Sequence, residues 1–107
     1  MTEQLGCSLA RVLELAIGTL HPAVTVEPLS RTDWASVTFS GARHRLRAVL
    51  RGTGAVGAAA DFLDVMDELD LPIAGHIVAD IALVSEERCD EGCYACLLLE
   101  ALTIEDC

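Results

Sequence analysis

The last third of the sequence constrains the fold most, because it contains two long alternating segments joined by a short polar loop. Residues 76–88 and 93–105 are rich in aliphatic residues and flank Asp90-Glu91-Gly92. A three-residue loop ending in glycine suits a hairpin, since glycine readily adopts the left-handed conformation that such a loop requires. The sequence therefore predicts two long antiparallel strands whose successive side chains point to opposite faces.

The two faces of this predicted hairpin differ in polarity. One face is almost wholly apolar, with Leu83 opposite Leu99 and Ile81 opposite Ala101. The other face mixes acidic and aliphatic residues. Its predicted pairs are Val84 with Leu98, Ala82 with Glu100, Asp80 with Leu102, and Val78 with Ile104. Strands of this length exceed what two short helices can cover, so a second copy of the chain is expected to cover the mixed face.

The preceding residues supply two helices and further strands. Apolar spacings of three and four residues predict helices over residues 3–20 and 55–70, the second capped by Thr53. A short strand is predicted over residues 23–27, followed by a hairpin that turns at Ser40-Gly41 and places Trp34 opposite Arg47. The order α-β-β-β-α-β-β predicts one α+β domain over residues 1–107. In it, two helices pack on one face of a four- to five-stranded antiparallel sheet.

Composition favours self-association and disfavours some partners. The apolar fraction is about 59% when glycine is counted and tyrosine is not, against a usual ~45–50%. The formal net charge is −10, from 17 acidic and 7 basic residues, and this charge repels nucleic acid and anionic membranes. An arginine stripe beside Trp34 resembles a small nucleic-acid platform, but pairing with acids on the same face is the favoured interpretation. We therefore predict no nucleic-acid and no membrane partner.

The sequence also indicates a compartment. Residues 1–4 lack the basic start of a secretory signal, and the apolar run from Cys93 to Ile104 is broken by Glu100. An odd number of cysteines, 5, fits thiols or metal ligands better than disulfides. All basic residues are arginine and alanine is abundant, a bias typical of GC-rich bacterial genomes. A cytoplasmic, bacterial protein is the resulting prediction.

Three of the cysteines form a cluster that resembles a metal-binding motif. Cys89, Cys93 and Cys96 have the spacing C-x₃-C-x₂-C, which resembles the iron–sulfur signature of the radical S-adenosylmethionine enzymes. That resemblance covers eight residues and would imply three thiolates on a cluster at the start of a much longer barrel. In this chain the motif lies near the C-terminus, and Ala95 stands where that family usually has an aromatic residue. A simpler metal site needs a fourth ligand such as Cys107 or a histidine.

The segment Gly52-Thr53-Gly54-Ala55-Val56-Gly57 matches the dinucleotide-binding pattern G-x-G-x-x-G. The strand before it carries arginines, whereas the central parallel strand of a dinucleotide-binding sheet is apolar throughout. A glycine-rich connection into a helix is the favoured interpretation. His44 falls on the predicted inner face as a hydrogen-bonded structural residue, and no catalytic constellation stands out, so the sequence leaves open whether the chain is an enzyme.

These observations predict a small acidic homo-oligomeric binding or assembly module without a cofactor, most economically a homodimer. A protein partner or a small ligand is a further possibility, and the specific role is left open. The alternative is a thiol or metal-binding protein that uses Cys89, Cys93 and Cys96. A third possibility is a small enzyme with its site between subunits. The predicted interface residues are Val78, Val84, Leu98, Leu102, Ile104, Trp34, Arg45 and Arg47.

Overall fold

Two helices cover one face of a single antiparallel sheet, as the sequence predicts. The computed structural model describes residues 2–105, with side chains from residue 5 onward. The elements are α1 (Thr2–Gly18), β1 (Val24–Ala35), β2 (Ser40–Arg51), α2 (Ala55–Val65), a 3₁₀ turn (Met66–Glu68), β3 (His76–Arg88) and β4 (Tyr94–Glu105). The strand order is β1-β2-β4-β3. Neither helix of the described chain has the length and apolar character needed to cross a membrane.

The core lies between the helices and the two central strands. In α1, Leu9, Leu13 and Ile17 follow the helical repeat and are fully buried. In α2, small alanines allow the helix to approach the sheet, and Phe62 fills the remaining space. Every second residue of β2 and β4 points into this layer, from Ala42 to Leu50 and from Ala95 to Thr103. Burying each large aliphatic side chain contributes about 1.5–3 kcal/mol, so the helices fix which face of the sheet is the inner one.

The first strand is longer than predicted, and the sheet has one strand fewer than the predicted order. The prediction ended a short strand at Pro28, whereas β1 continues through this proline to Ala35. A register shift between Pro28 and Ser30 marks a bulge at Leu29. Proline is tolerated here because β1 is an outer strand, whose amides need not all pair. The observed order is therefore α-β-β-α-β-β.

The turn between β1 and β2 also differs from the prediction. Ala35 pairs with Ser40, so the loop is formed by residues 36–39 and not by Ser40-Gly41. Ser36 closes this loop: its Oγ accepts the Phe39 N–H at 3.0 Å, and its N–H donates to the Phe39 carbonyl oxygen at 2.7 Å. Trp34 consequently pairs with Gly41, and the predicted pairing of Trp34 with Arg47 is wrong.

The second helix is shorter than predicted. It ends at Val65, and the last turn tightens into the 3₁₀ segment Met66–Glu68. Its N-cap is Gly54 in the left-handed conformation, with no side-chain cap, where Thr53 was predicted. Phe62 and Met66 face the core, whereas Val65 is 41% exposed because the helical repeat turns it outward.

The C-terminal hairpin confirms the predicted strands but corrects part of their register. The predicted pairs of Leu83 with Leu99 and of Ile81 with Ala101 are observed. Bulges at Ala79 and Val84 then shift the pairing on either side of this central stretch. Val78 pairs with Thr103 and packs against the core, so its predicted place on the mixed face is wrong.

A buried polar pair links the two central strands. His44 Nε2 lies 3.1 Å from Thr103 Oγ1, and this hydroxyl donates to the Ala42 carbonyl oxygen at 3.3 Å. Because the hydroxyl proton is used on Ala42, the ring must donate, which assigns the proton to Nε2. Burial, and after it the Arg31 charge, lowers the pKa of His44. The predicted structural role of His44 is confirmed: it is a neutral donor at 1% exposure.

The buried ring predicts a pH dependence of stability. With a folded pKa below the unfolded value of 6.5, the unfolded chain binds more protons as the pH falls below that value. The contribution of His44 is therefore complete above about pH 6.5 and is lost as the pH falls through its lowered folded pKa. We expect the free energy of unfolding to fall less between about pH 7.5 and about pH 5.5 in His44→Leu than in the parent chain, as measured by urea denaturation. Equal losses in both proteins would contradict this assignment.

Candidate functional sites

The sheet face turned away from the helices is uncovered, and we call it the open face. It is formed by the residues of β2 and β4 that alternate with the buried ones, flanked by residues of β1 and β3. Its central members are Arg43, Arg45, Arg47, Val49, Arg51, Tyr94, Cys96, Leu98, Glu100, Leu102 and Ile104. Its flanking members include Glu27, Trp34, Ile77, Asp80 and Glu87. The face thus combines a basic strand with an apolar strand.

Six of the eight predicted interface residues lie on the open face. Those six are Trp34, Arg45, Arg47, Leu98, Leu102 and Ile104. Val78 lies on the helix-covered face, and Val84 is the bulge residue that the register skips, at 41% exposure. Ile77, which the sequence pattern does not predict, also belongs to the open face: it pairs with Ile104 and is 50% exposed. Its position depends on the bulge at Ala79, for which the sequence carries no clear signal.

Charges on the open face balance one another. Arg45 Nε lies 3.0 Å from a Glu100 carboxylate oxygen, and an Arg47 amino group lies 2.8 Å from Glu27. Among the described residues, four arginines on this face are matched by four carboxylates, those of Glu27, Asp80, Glu87 and Glu100. The net charge of −10 is therefore carried by the rest of the molecule. Such exposed pairs contribute only about 0–1 kcal/mol each to folding, so they add little to stability.

Trp34 covers one end of the open face by lying against Gly41. A Cβ built on Gly41 would be 2.7 Å and 2.9 Å from atoms of the indole ring and would also meet the Thr103 carbonyl oxygen. Glycine is therefore required for the close approach of this ring and this backbone. The indole Nε1 is buried, and the structure gives it no hydrogen-bond partner. Gly41 is thus a packing residue of the strand and not a turn residue.

At the other end of the open face lies a polar hollow of about 460 Å³. The Arg51 guanidinium lies 5.9 Å from the centre of the Tyr94 ring, within the range of a cation–π contact. Cys96 and Glu87 line the same hollow. This places Cys96 on the open face, in register with Val49 of β2.

The three clustered cysteines do not converge. Cys89 Sγ lies 3.5 Å from Cys93 Sγ at the hairpin loop, whereas Cys96 points to the open face from within β4. Among the described residues no group of three or more metal-ligating side chains is placed to hold an ion. Cys107, the suggested fourth ligand, lies outside the described residues. Cys89 and Cys93 therefore form a pair of thiols, and Cys96 is a separate thiol.

The two paired thiols have unequal acidity. The hydrogen bond between the two thiols, supported by backbone N–H groups of the loop, lowers the pKa of Cys89. The same contact with Cys89 raises the pKa of Cys93. Cys89 also accepts the Cys93 backbone N–H at 3.3 Å. Cys89 is thus the thiol that ionises first, and the thiolate is the nucleophilic form.

The glycine-rich segment is the docking point of the C-terminal hairpin loop. The Gly52 N–H donates to the Cys93 carbonyl oxygen at 2.9 Å, and the Val56 N–H donates to the Gly92 carbonyl oxygen at 3.1 Å. Gly52 and Gly54 have φ values of 95° and 88°, which other residues rarely adopt. These N–H groups are therefore hydrogen-bonded to the loop, whereas a dinucleotide-binding turn would direct its N–H groups to phosphate. This geometry supports the interpretation of a glycine-rich connection into α2.

The contact between Trp34 and Gly41 predicts opposite outcomes for two single-methyl additions. We expect Gly41→Ala to lower the free energy of unfolding by about 2 kcal/mol or more, because the added Cβ meets backbone and a rigid ring. The matched control is Gly57→Ala, whose Cβ meets no atom within 4 Å. It should raise stability by up to about 1 kcal/mol, because alanine is the better helix former. Urea denaturation measures both changes, and a neutral Gly41→Ala would refute the close-approach account.

No protein-family model, curated protein or solved structure matches this chain.

Proposed function

We propose that this chain is a homodimeric assembly module in which the open faces of two copies pack against each other. The observation that carries this proposal is the charge balance of the open face in a chain whose net charge is −10. A strongly acidic surface repels a second copy, whereas a balanced face with an apolar strand can approach its own copy without that cost. The charge is thus concentrated away from the face that is to be buried.

The arrangement of residues on the open face is self-complementary. A two-fold axis parallel to the strands, between β2 and β4, places β2 of one copy over β4 of the other. Because Arg45 and Glu100 are register partners, this axis brings Arg45 opposite the partner's Glu100. The neighbouring Arg43 and Arg47 lie over leucines of the partner, where their methylene stems cover apolar surface. One symmetry operation therefore satisfies charge and apolar contact together.

The open face is large enough for a stable dimer. Its central strands pair from Gly41 to Arg51, which corresponds to about 36 Å at ~3.3 Å per residue. Four strands at a spacing of ~4.8 Å give a width of about 19 Å. The product, about 700 Å² per copy, is close to the ~800 Å² per partner of a standard protein interface.

The sheet edges are less suited to pairing between copies. Both outer strands carry bulges, at Leu29 in β1 and at Ala79 and Val84 in β3. A bulge interrupts the row of amides that a second strand would have to meet. On β1 the Val26 N–H already donates to the Glu14 carboxylate at 2.9 Å. These features favour face-to-face over edge-to-edge association.

The proposal extends to the compartment. Four of the five cysteines lie in the described chain, and all four are free thiols. Free thiols together with the arginine-only basic set support a bacterial, cytoplasmic setting, where cysteines are kept reduced.

A charged group placed on the apolar strand should prevent dimerisation. In Leu98→Asp, the dimer would bury two carboxylates against apolar surface. A cost of about 1.4 kcal/mol in binding free energy for each carboxylate raises the dimer Kd about 100-fold. We expect a folded monomer at micromolar concentration by light scattering after size exclusion, with circular dichroism as the check of folding. The matched control is Leu15→Asp on the outer side of α1, where Leu15 is 66% exposed. It should leave the dimer intact. A parent chain that is itself monomeric at micromolar concentration would sink the proposal.

Exchange of one charge pair tests the symmetry directly. Arg45→Glu and Glu100→Arg each place like charges on facing copies, so each variant alone should be mainly monomeric. In a mixture, one copy carries two acids and the other two arginines at this level, and a heterodimer should form. Sedimentation velocity of each variant and of the equimolar mixture measures this. If both variants are folded and the mixture stays monomeric, Arg45 and Glu100 do not face each other across the interface.

A further inference from the structure

The hairpin loop holds Cys89 and Cys93 as a preformed pair of thiols. Their sulfur atoms lie 3.5 Å apart, and the Cys93 backbone N–H points at the Cys89 sulfur. Both residues are accessible, Cys93 more so than Cys89. No disulfide joins them in the structure. Two accessible thiols at this separation are one short movement from a covalent bond.

The pair is positioned by backbone hydrogen bonds on both sides of the loop. The Cys89 N–H donates to the Tyr94 carbonyl oxygen at 3.1 Å, and the Gly92 N–H donates to the Cys89 carbonyl oxygen at 3.2 Å. The carbonyl oxygens of Gly92 and Cys93 in turn accept hydrogen bonds from the backbone N–H groups of Val56 and Gly52. The loop is therefore tied to the body of the protein, and the separation of the sulfurs is set by the fold.

We propose that Cys89 and Cys93 form a thiol–disulfide exchange site whose substrate is a low-molecular-weight disulfide. In the first step the Cys89 thiolate attacks one sulfur of the substrate, and one small thiolate leaves as a mixed disulfide forms on Cys89. In the second step Cys93 loses its proton to solvent or to the departing thiolate and attacks the Cys89 sulfur. The second small thiol leaves. The two cysteines are oxidised by two electrons, and the substrate is reduced to two thiols.

The roles of the two cysteines follow from their environment. The contact with the Cys93 side chain, together with the Cys93 backbone N–H at 3.3 Å and other loop amides, lowers the pKa of Cys89 and makes it the attacking thiol. Cys93 keeps its proton longer and lies within reach of the mixed disulfide. Cys96 does not compete for this role, because it points to the open face. The site is separate from the proposed dimer interface, so the two proposals stand or fall independently.

The test uses the full chain with Cys7, Cys96 and Cys107 replaced by serine, so that only the pair remains. On incubation with an excess of oxidised glutathione, this variant should lose the mass of two hydrogen atoms and carry no retained glutathione. Peptide mapping of the parent chain under the same treatment should recover a Cys89–Cys93 disulfide. A variant that stays reduced, or that retains glutathione on either cysteine as its main product, would overturn the proposal.

Two single variants in the same background separate the roles. Cys93→Ser keeps a hydroxyl donor beside Cys89, so it should react at a rate similar to the pair but stop at a stable mixed disulfide. Cys89→Ser retains only the less acidic thiol and should react about tenfold more slowly at neutral pH. Equal rates for the two variants would contradict the assignment of Cys89 as the attacking thiol. Circular dichroism establishes that each variant is folded before the rates are compared.

Discussion

The alternation of side chains along β2 and β4 is the constraint on which the rest of the structure depends. These strands are paired in register from Gly41 with Ile104 to Arg51 with Tyr94, and their buried residues all face the helices. A slip of one residue would send the arginines into the core and the leucines to the surface. The helices therefore fix the inner face, and through it they dictate the composition of the open face. Open-face residues and core residues are determined together because they alternate on the same strands.

The outer strands meet a different requirement, since they must end the sheet without inviting further strands. Each deviates from a regular ladder by one or two bulges, and β3 is largely exposed beyond Ile81. The bulge at Ala79 also reverses the faces to which Val78 and Ile77 point. It turns Val78 toward the core and leaves Ile77 beside Ile104 on the open face. The edge irregularity thus shapes the face as well as protecting the edge.

The sequence predicted the fold class and the central pairing but not the local details of the turns and bulges. Leu83 opposite Leu99 was predictable because the apolar alternation is long and its loop contains Gly92 in the left-handed conformation. The β1–β2 turn was not, because two signals competed there. Gly41 looks like a turn residue, yet it serves the Trp34 ring, and the turn is closed by the Ser36 hydroxyl. Most predicted interface residues lie on the open face. The prediction for Val78 was wrong because no residue type signals a bulge.

Two sequence motifs that suggest separate chemistries are parts of one structural joint. Backbone N–H groups at the glycine segment before α2 donate hydrogen bonds, and the carbonyl oxygens of Gly92 and Cys93 in the cysteine loop accept them. Each motif therefore explains the other: the glycines allow the chain to turn beneath the loop, and the loop satisfies the free amides at the start of α2. The consequence for the thiols is geometric. A loop anchored at two carbonyls holds the sulfur atoms of Cys89 and Cys93 3.5 Å apart while both are reduced. Cys96, which extends the motif in sequence, lies on a regular strand, where alternation sends it to the opposite face.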